Sequence, residues 1–264
     1  MERKVVLIKG GGDLATGIAH RLFRCGFGVA ITEIAEPTVI RRTVAFAQAV
    51  FTGQTTVEGV TAELSSADNA LNMIKQRKIP VVIDPDSACI ETLVPWAVVD
   101  AIVAKRNLAT AMYQAPIVVG VGPGFTAGQD VHAVVETMRG HELGRVYLQG
   151  SALPNTGVPG EIGGYTKERL LRSPVAGKFQ AISQIGDQVE AGQIVANVDG
   201  TAIYAEIRGI VRGMLQNGLN VTAGFKVGDI DPRCRTEHCF TISDKARSIG
   251  GGVLEALLWL GGSD

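Results

Sequence analysis

Between residues 173 and 230 the chain repeats itself at a fixed interval of 32 positions. Gly177, Gly186, Val189 and Gly192 recur as Gly209, Gly218, Val221 and Gly224, while Val175 and Val195 recur as Ile207 and Val227. One offset held through apolar and turn positions alike marks a duplicated structural unit. Alternating apolar residues between turn glycines spell short strands, so each half is a small β-meander. Neither half can bury much apolar surface alone, so the two pair into one sandwich. This places a small all-β domain at residues 166–235.

The opening segment follows different rules. Val5-Val6-Leu7-Ile8 is a short apolar run, and Gly10-Gly11-Gly12 breaks it. Behind Asp13, a fitting N-cap, Leu14, Ile18, Leu22 and Cys25 fall at helical spacing. Gly26 and Gly28 end that helix, and Val29-Ala30-Ile31 is the next strand. The result is a βαβ unit with a right-handed crossover. The spacing predicts a further helix over 66–78 and strands at Val81-Val82-Ile83, Ala101-Ile102-Val103-Ala104 and 117–121. Residues 50–64, rich in Thr, Val and Gly, suit a hairpin against that sheet. The expectation for 1–165 is an α/β, Rossmann-like domain with a mostly parallel sheet. Residues 150–164 read as an interdomain loop, and 236–264 as a C-terminal segment whose helix, 249–260, packs back on a domain.

At 264 residues the chain is near the limit of a single core, which favours two domains. A net charge of −1 gives no global attraction to nucleic acid or membrane. No signal-peptide pattern opens the chain, and no apolar run nears the roughly 18 residues of a membrane span. Four cysteines are too few for a disulfide framework. A cytoplasmic location is expected.

Gly10-x-Gly12-x-x-Ala15 fits the dinucleotide fingerprint: a strand precedes it and a helix follows. Gly10, Gly11, Gly12, Asp13 and Ala15 are therefore candidate binding residues. Glu33, at the end of the second strand, is placed to meet ribose hydroxyls. A carboxylate at Asp13 beside a pyrophosphate is repulsive unless a cation or hydroxyl intervenes. Arg41 and Arg42, then Lys105-Arg106-Asn107, then Gly122-Pro123-Gly124-Phe125 all follow expected strands. Loops at strand carboxyl ends line the crevice of open parallel sheets, so these residues suggest a small anionic ligand. Solvated surface charges, or a turn kept without its ligand, would look the same in sequence. Glu136, Arg139 and His141 lie close together and suit acid, anion clamp and base. No nucleophile with an adjacent base is visible, so no reaction is named. Cys234, His238 and Cys239 fall short of four metal ligands, and no metal site is assigned.

Two resemblances follow from these residues. The phrase Ile185-Gly186-Asp187-Gln188-Val189-Glu190-Ala191-Gly192-Gln193 resembles the turn of biotinyl/lipoyl-type barrel-sandwich hybrids. Carrier members place a modifiable lysine on the central hairpin. Here that hairpin, near Asp199-Gly200-Thr201-Ala202, has none, and Lys178 and Lys226 lie elsewhere in the repeat. No biotin or lipoyl attachment is expected. The chain as a whole resembles the YqeB family of accessory proteins of the selenium-dependent molybdenum hydroxylase system. That likeness rests on Arg41-Arg42, Ala104-Lys105-Arg106-Asn107, Gly122-Pro123-Gly124-Phe125 and Glu136-Thr137-Met138-Arg139-Gly140-His141. It rests also on Pro154-Asn155-Thr156-Gly157, Asp229-Ile230-Asp231-Pro232-Arg233 and Ile242-Ser243-Asp244-Lys245-Ala246.

The resemblance implies a maturation factor that binds a nucleotide-containing, molybdopterin-type dinucleotide and serves a molybdenum hydroxylase. Two other readings stay open. One is an NAD-dependent oxidoreductase, with Glu33 disfavouring a 2′-phosphate. The other is a non-catalytic docking adaptor. Sequence leaves the oligomeric state unspecified.

Overall fold

The computed structural model describes residues 3–262, in two compact units. The first unit takes the described residues up to Pro37, then Ala45–Thr156, then the described residues from Ile242 onward. The second takes Thr38–Val44 and Gly157–Thr241. A short early segment joins the β-rich unit, and the C-terminal helix belongs to the first.

In the first unit one nine-stranded sheet is built from β1 (Val5–Lys9), β2 (Gly28–Glu33), β3 (Gln54–Val57), β4 (Val60–Ser65), β5 (Ile79–Ile83), β6 (Ala97–Asp100), β7 (Ile117–Val121), β8 (Ala133–Val135) and β9 (Val146–Tyr147). Its order is β3-β4-β5-β2-β1-β6-β7-β8-β9. Pairing is parallel from β4 through β8 and antiparallel only at the two edges. The chain thus winds outward from β1 in one direction through β2 and β5, then in the other through β6, β7 and β8. The residues of β7 are all buried, as expected of a parallel strand covered on both faces.

Helix α1 (Asp13–Arg24) buries Ala15, Ile18, Ala19 and Leu22. On the other face, Leu7, Ala30, Val98 and Val118 share a core with Ala70 and Ile74 of α3 (Ala67–Lys75) and Leu93 of α4 (Ile90–Leu93). A short helix, α2 (Ala49–Thr52), precedes the β3–β4 hairpin. The second unit holds α5 (Glu237–Phe240), and the first ends in α6 (Asp244–Gly261). Helices α1 and α6 meet at small residues: a Cβ on Gly17 would lie 2.7 Å from that of Ala246.

The hairpin expected within 50–64 is β3 and β4, joined at Glu58-Gly59, where both φ angles are positive. The strand expected at Ala101–Ala104 is displaced: Ala97–Asp100 enters the sheet, with Asp100 beside Lys9, and the residues after it form a loop. Helix α6 starts earlier than its apolar stripe suggests, because the Ser243 side chain caps it by accepting from Ala246 N–H. Among the described residues no helix is long and apolar enough to cross a membrane.

The second unit contains β10 (Leu170–Arg172), β11 (Gly177–Ala181), β12 (Gln188–Val189), β13 (Ile194–Val198), β14 (Thr201–Tyr204), β15 (Gly209–Met214), β16 (Asn220–Val221) and β17 (Lys226–Asp231). They make two four-stranded sheets, β10-β17-β15-β12 and β14-β13-β11-β16. Strands β11, β12 and β13 recur as β15, β16 and β17 at the interval read from the sequence. Val221 of β16 pairs with Gly177, and the equivalent Val189 of β12 pairs with Gly209. Each half therefore lends its shortest strand to the other half's sheet, which is why neither closes alone.

Candidate functional site at the carboxyl edge of the large sheet

The glycine turn leaves β1 at φ +85° on Gly10, whose N–H donates to the Thr32 carbonyl at 2.8 Å. A side chain at Gly10 would meet Ile102 Cα at 3.1 Å, so glycine is required for both conformation and space. Gly11 N–H donates to Glu33 Oε2 at 2.8 Å, and the Gly11 carbonyl accepts from Ala47 N–H at 2.8 Å. Phe46 N–H donates to Thr16 Oγ1 at 2.8 Å. Residues 45–48 thus close over Gly11, while Gly10, Gly12 and Asp13 stay half-buried. Gly12 has φ −63° and ψ 179°, an extended N-cap that any residue can adopt. Ala15, fully buried, seats α1 on the sheet.

Glu33 also accepts from Ile34 N–H at 2.9 Å. Burial pushes its carboxyl above the usual range, partly offset by its two backbone donors. The sequence reading missed its neighbours Lys9, Asp100 and Thr110. Lys9 ends β1 in register with Thr32 and Asp100, at the point where the strand order reverses. It is 5% exposed, and its ammonium donates to Thr110 Oγ1 and Gln114 Oε1, both at 2.9 Å. Burial lowers its pKa, against the opposing pull of Asp100 and Asp84. A lysine closing an apolar strand is the only sequence signal for this cluster.

The loop after β6 is strained, with Val103, Lys105 and Ala109 at positive φ. Lys105 and Arg106 are exposed there. Asn107 is structural: its side chain accepts from Thr110 N–H at 2.7 Å and donates to the Thr110 carbonyl at 2.8 Å. A Cβ on Gly124 would lie 2.7 Å from the Arg106 backbone, so these two loops touch main chain to main chain. Gly122, at φ +84°, faces the Thr137 side chain, whose Oγ1 would lie 2.8 Å from an added Cβ.

The three candidates on the next loop play separate parts. Glu136 is fully buried, and its carboxylate accepts from Thr137, Met138 and Leu153 N–H at 2.7, 2.7 and 2.8 Å. It organises this loop and the entry to Pro154. Arg139 forms a forked pair with Asp244 at 2.7 and 3.0 Å. His141 sits exposed on the following turn. Lys245 is the second residue of α6. Burial and the Arg139 guanidinium lower its pKa, while the carboxylates of Asp13, Glu136 and Asp244 oppose that shift. The Lys245 ammonium, near the start of α6, thus feels charges at the start of α1 and just past β8.

Arg41 and Arg42 lie in the second unit. Arg41 is buried and donates to the His238 and Thr241 carbonyls at 3.0 and 3.2 Å. Arg42 donates to the Met214 carbonyl at 2.7 Å and to Gln216 Oε1 at 3.1 Å. The guanidiniums pin the segment Thr38–Val44 to the β-rich unit.

The chain is 52% identical over 258 residues to YqeB of Escherichia coli (strain K12), a match spanning 97% of this chain and 48% of that protein. The likeness supports the YqeB family. The chain spans about half the length of this curated relative. No protein-family model matches it. Among solved structures, an aspartoacylase family protein from Mesorhizobium loti aligns at 12% identity and TM-score 0.30, covering 89% of this chain and 87% of that one. The ectoine utilization protein EutE from Ruegeria pomeroyi aligns at 13% identity and TM-score 0.25, covering 86% and 85%. At these scores neither likeness bears on the chemistry of this chain.

Proposed function

We propose that the chain binds the nucleotide part of a dinucleotide cofactor of the molybdopterin type, and so serves the maturation of selenium-dependent molybdenum hydroxylases. The observation that carries this reading is the forked Arg139–Asp244 pair at the start of α6, beside Lys245, whose charge is felt by Asp13 at the start of α1. Two half-buried backbone positions at the start of α1 offer N–H groups to a phosphate. Lys245 and Arg139 offset Asp13, which otherwise repels it. Glu33 suits a ribose hydroxyl, since its carboxylate already lies on the glycine turn. The residues present therefore fit a pyrophosphate and ribose. The cofactor, when bound, supplies its own metal chemistry, while this chain's residues hold its anionic end.

The strand order from β5 through β8 supports a Rossmann-like assignment, with ligands received outside the carboxyl ends where the order reverses. The interchanged halves of the second unit suit a barrel-sandwich hybrid that docks a partner, for which a molybdenum hydroxylase is the candidate. The turn at Asp199-Gly200 carries no lysine for a swinging arm.

Calorimetric titration with cytidine diphosphate, NAD and a molybdopterin dinucleotide tests this reading. The expected result is saturable binding of the molybdopterin dinucleotide, weakened about tenfold or more by Lys245→Ala. Preference for NAD would favour the oxidoreductase reading. Absence of binding by all three compounds defeats the proposal.

A further inference from the structure

We propose a second ligand site at the amino edge of the large sheet, for a small amphipathic anion: an apolar body lying against Trp96 and one acid group met by Arg3, Lys4 and Lys75. A cavity of about 790 Å³ opens there, beside the starts of β1 and β6. That size lies within the range of small-molecule sites. Across β1 the cavity is about 17 Å from the glycine turn, at the usual rise per residue.

The wall chemistry is one-sided. Arg3, Lys4 and Lys75 line the cavity, and among the described residues no carboxylate side chain does. The floor is apolar: Ile74 and Leu93 are 5% and 4% exposed. Lys4 Nζ sits 4.3 Å from the centre of the Trp96 ring. The indole is fixed on its other sides by Phe27, stacked at 5.9 Å between ring centres, and by the last turn of α6 at Gly261. A rigid aromatic wall costs little entropy on binding.

Val94 adds a second observation. It is 78% exposed at the cavity rim and has φ +40°, a conformation that β-branched residues rarely adopt. An exposed apolar side chain held in strain gains nothing from burial in the free protein. Its φ belongs to the left-handed C-cap of α4, which presents the side chain at the rim, and a ligand that covers it accounts for the exposure. Three cations facing an apolar floor select a ligand with both characters. A phosphorylated sugar lacks the apolar body, and a neutral aromatic leaves the cations unused.

The test is calorimetric titration of the full chain with 1-naphthoate, and with 1-naphthamide as the uncharged match. Naphthoate should bind saturably, and the amide about tenfold or more weaker. The double variant Lys4→Glu/Lys75→Glu should lose naphthoate binding while keeping its melting temperature, because both side chains are exposed. Trp96→Phe should weaken both compounds and keep the preference for the acid. Equal affinity for acid and amide overturns the proposal. So does naphthoate binding unchanged in the double variant, or no binding of naphthoate at millimolar concentration.

Discussion

Lys9 and Asp100 end neighbouring parallel strands in register, and the Thr110 hydroxyl joins them. It accepts from Lys9 Nζ at 2.9 Å and donates to Asp100 Oδ2 at 2.6 Å. Asp100 is 2% exposed and also accepts from Ile102 N–H at 3.2 Å. The strained loop beyond β6 is thus clasped to the centre of the sheet by one cation, one hydroxyl and one carboxylate. Two opposite charges withdrawn from water persist only if each keeps its partner.

Removing one member of this cluster should therefore cost more than removing both. Asp100→Ala leaves a buried ammonium with neutral partners, and the expected loss is about 3–5 kcal/mol in denaturant unfolding. The double variant Lys9→Met/Asp100→Ala should recover a large part of it. Strict additivity of the two single losses would show that the pair is not coupled.

The lowered pKa of Lys9 has a definite pH signature. Between its value in the folded state and its ordinary 10.5, the unfolded chain holds a proton that the folded chain has lost. Stability therefore rises with pH through that window. Lys245 contributes with the same sign, so the comparison is between wild type and Lys9→Met. The variant should show a flatter rise on the alkaline side; an unchanged slope would count against a buried, depressed lysine.

Glu33 gives the opposite signature in acid. Its folded value lies above the ordinary 4.5, so the folded chain retains a proton that the unfolded chain releases. Stability from Glu33 is present below 4.5 and declines as pH rises through the folded value. Subtracting the melting curve of Glu33→Gln from that of wild type should isolate this decline. A difference that grows with pH would mean that the carboxylate is favoured by its backbone donors more than burial opposes it.

Much of this was legible in the sequence, and for identifiable reasons. The 32-residue repeat is visible because turn glycines and inward valines are imposed by local geometry at both copies. The glycine turn is visible because Gly10 must take a positive φ against Ile102. The partners of Arg41 and Arg42 were not legible, because chain position after β2 says nothing about carbonyls some 170 to 200 residues onward, at Met214, His238 and Thr241. Lys9 and Lys245 were passed over for a related reason. A lone lysine reads as solvated until the fold shows which carboxylates surround it. The strand at Ala97–Asp100 was shifted because apolar residues continue beyond it, and only register against β1 decides where the sheet ends.

In the second unit, Arg169 and Asp229 form a buried ion pair at 2.6 Å, with side chains 6% and 9% exposed. Asp229→Ala should destabilise by about 3–5 kcal/mol, by leaving the guanidinium uncompensated. Replacing both by leucine should come closer to wild type, which chemical denaturation can measure. Arg139 and Asp244 provide the contrast. Their side chains are 37% and 72% exposed, so Arg139→Ala should cost only about 0.2–1 kcal/mol of stability.

Gly10 and Gly12 separate the folding role of the turn from any role in binding. Gly10→Ala must hold an alanine at φ +85° with its methyl 3.1 Å from Ile102 Cα. A loss of about 1–3 kcal/mol is expected, visible as a lower melting temperature. Gly12 lies at φ −63° and carries no such strain. Gly12→Ala should therefore fold with nearly wild-type stability, since alanine gives up only the modest N-cap preference of glycine. If a phosphate approaches the start of α1, the added methyl occupies its path, and Gly12→Ala should weaken dinucleotide binding without a matching fall in melting temperature. Wild-type binding by Gly12→Ala, together with full stability, would move the anion away from the turn and toward Lys245 and Arg139.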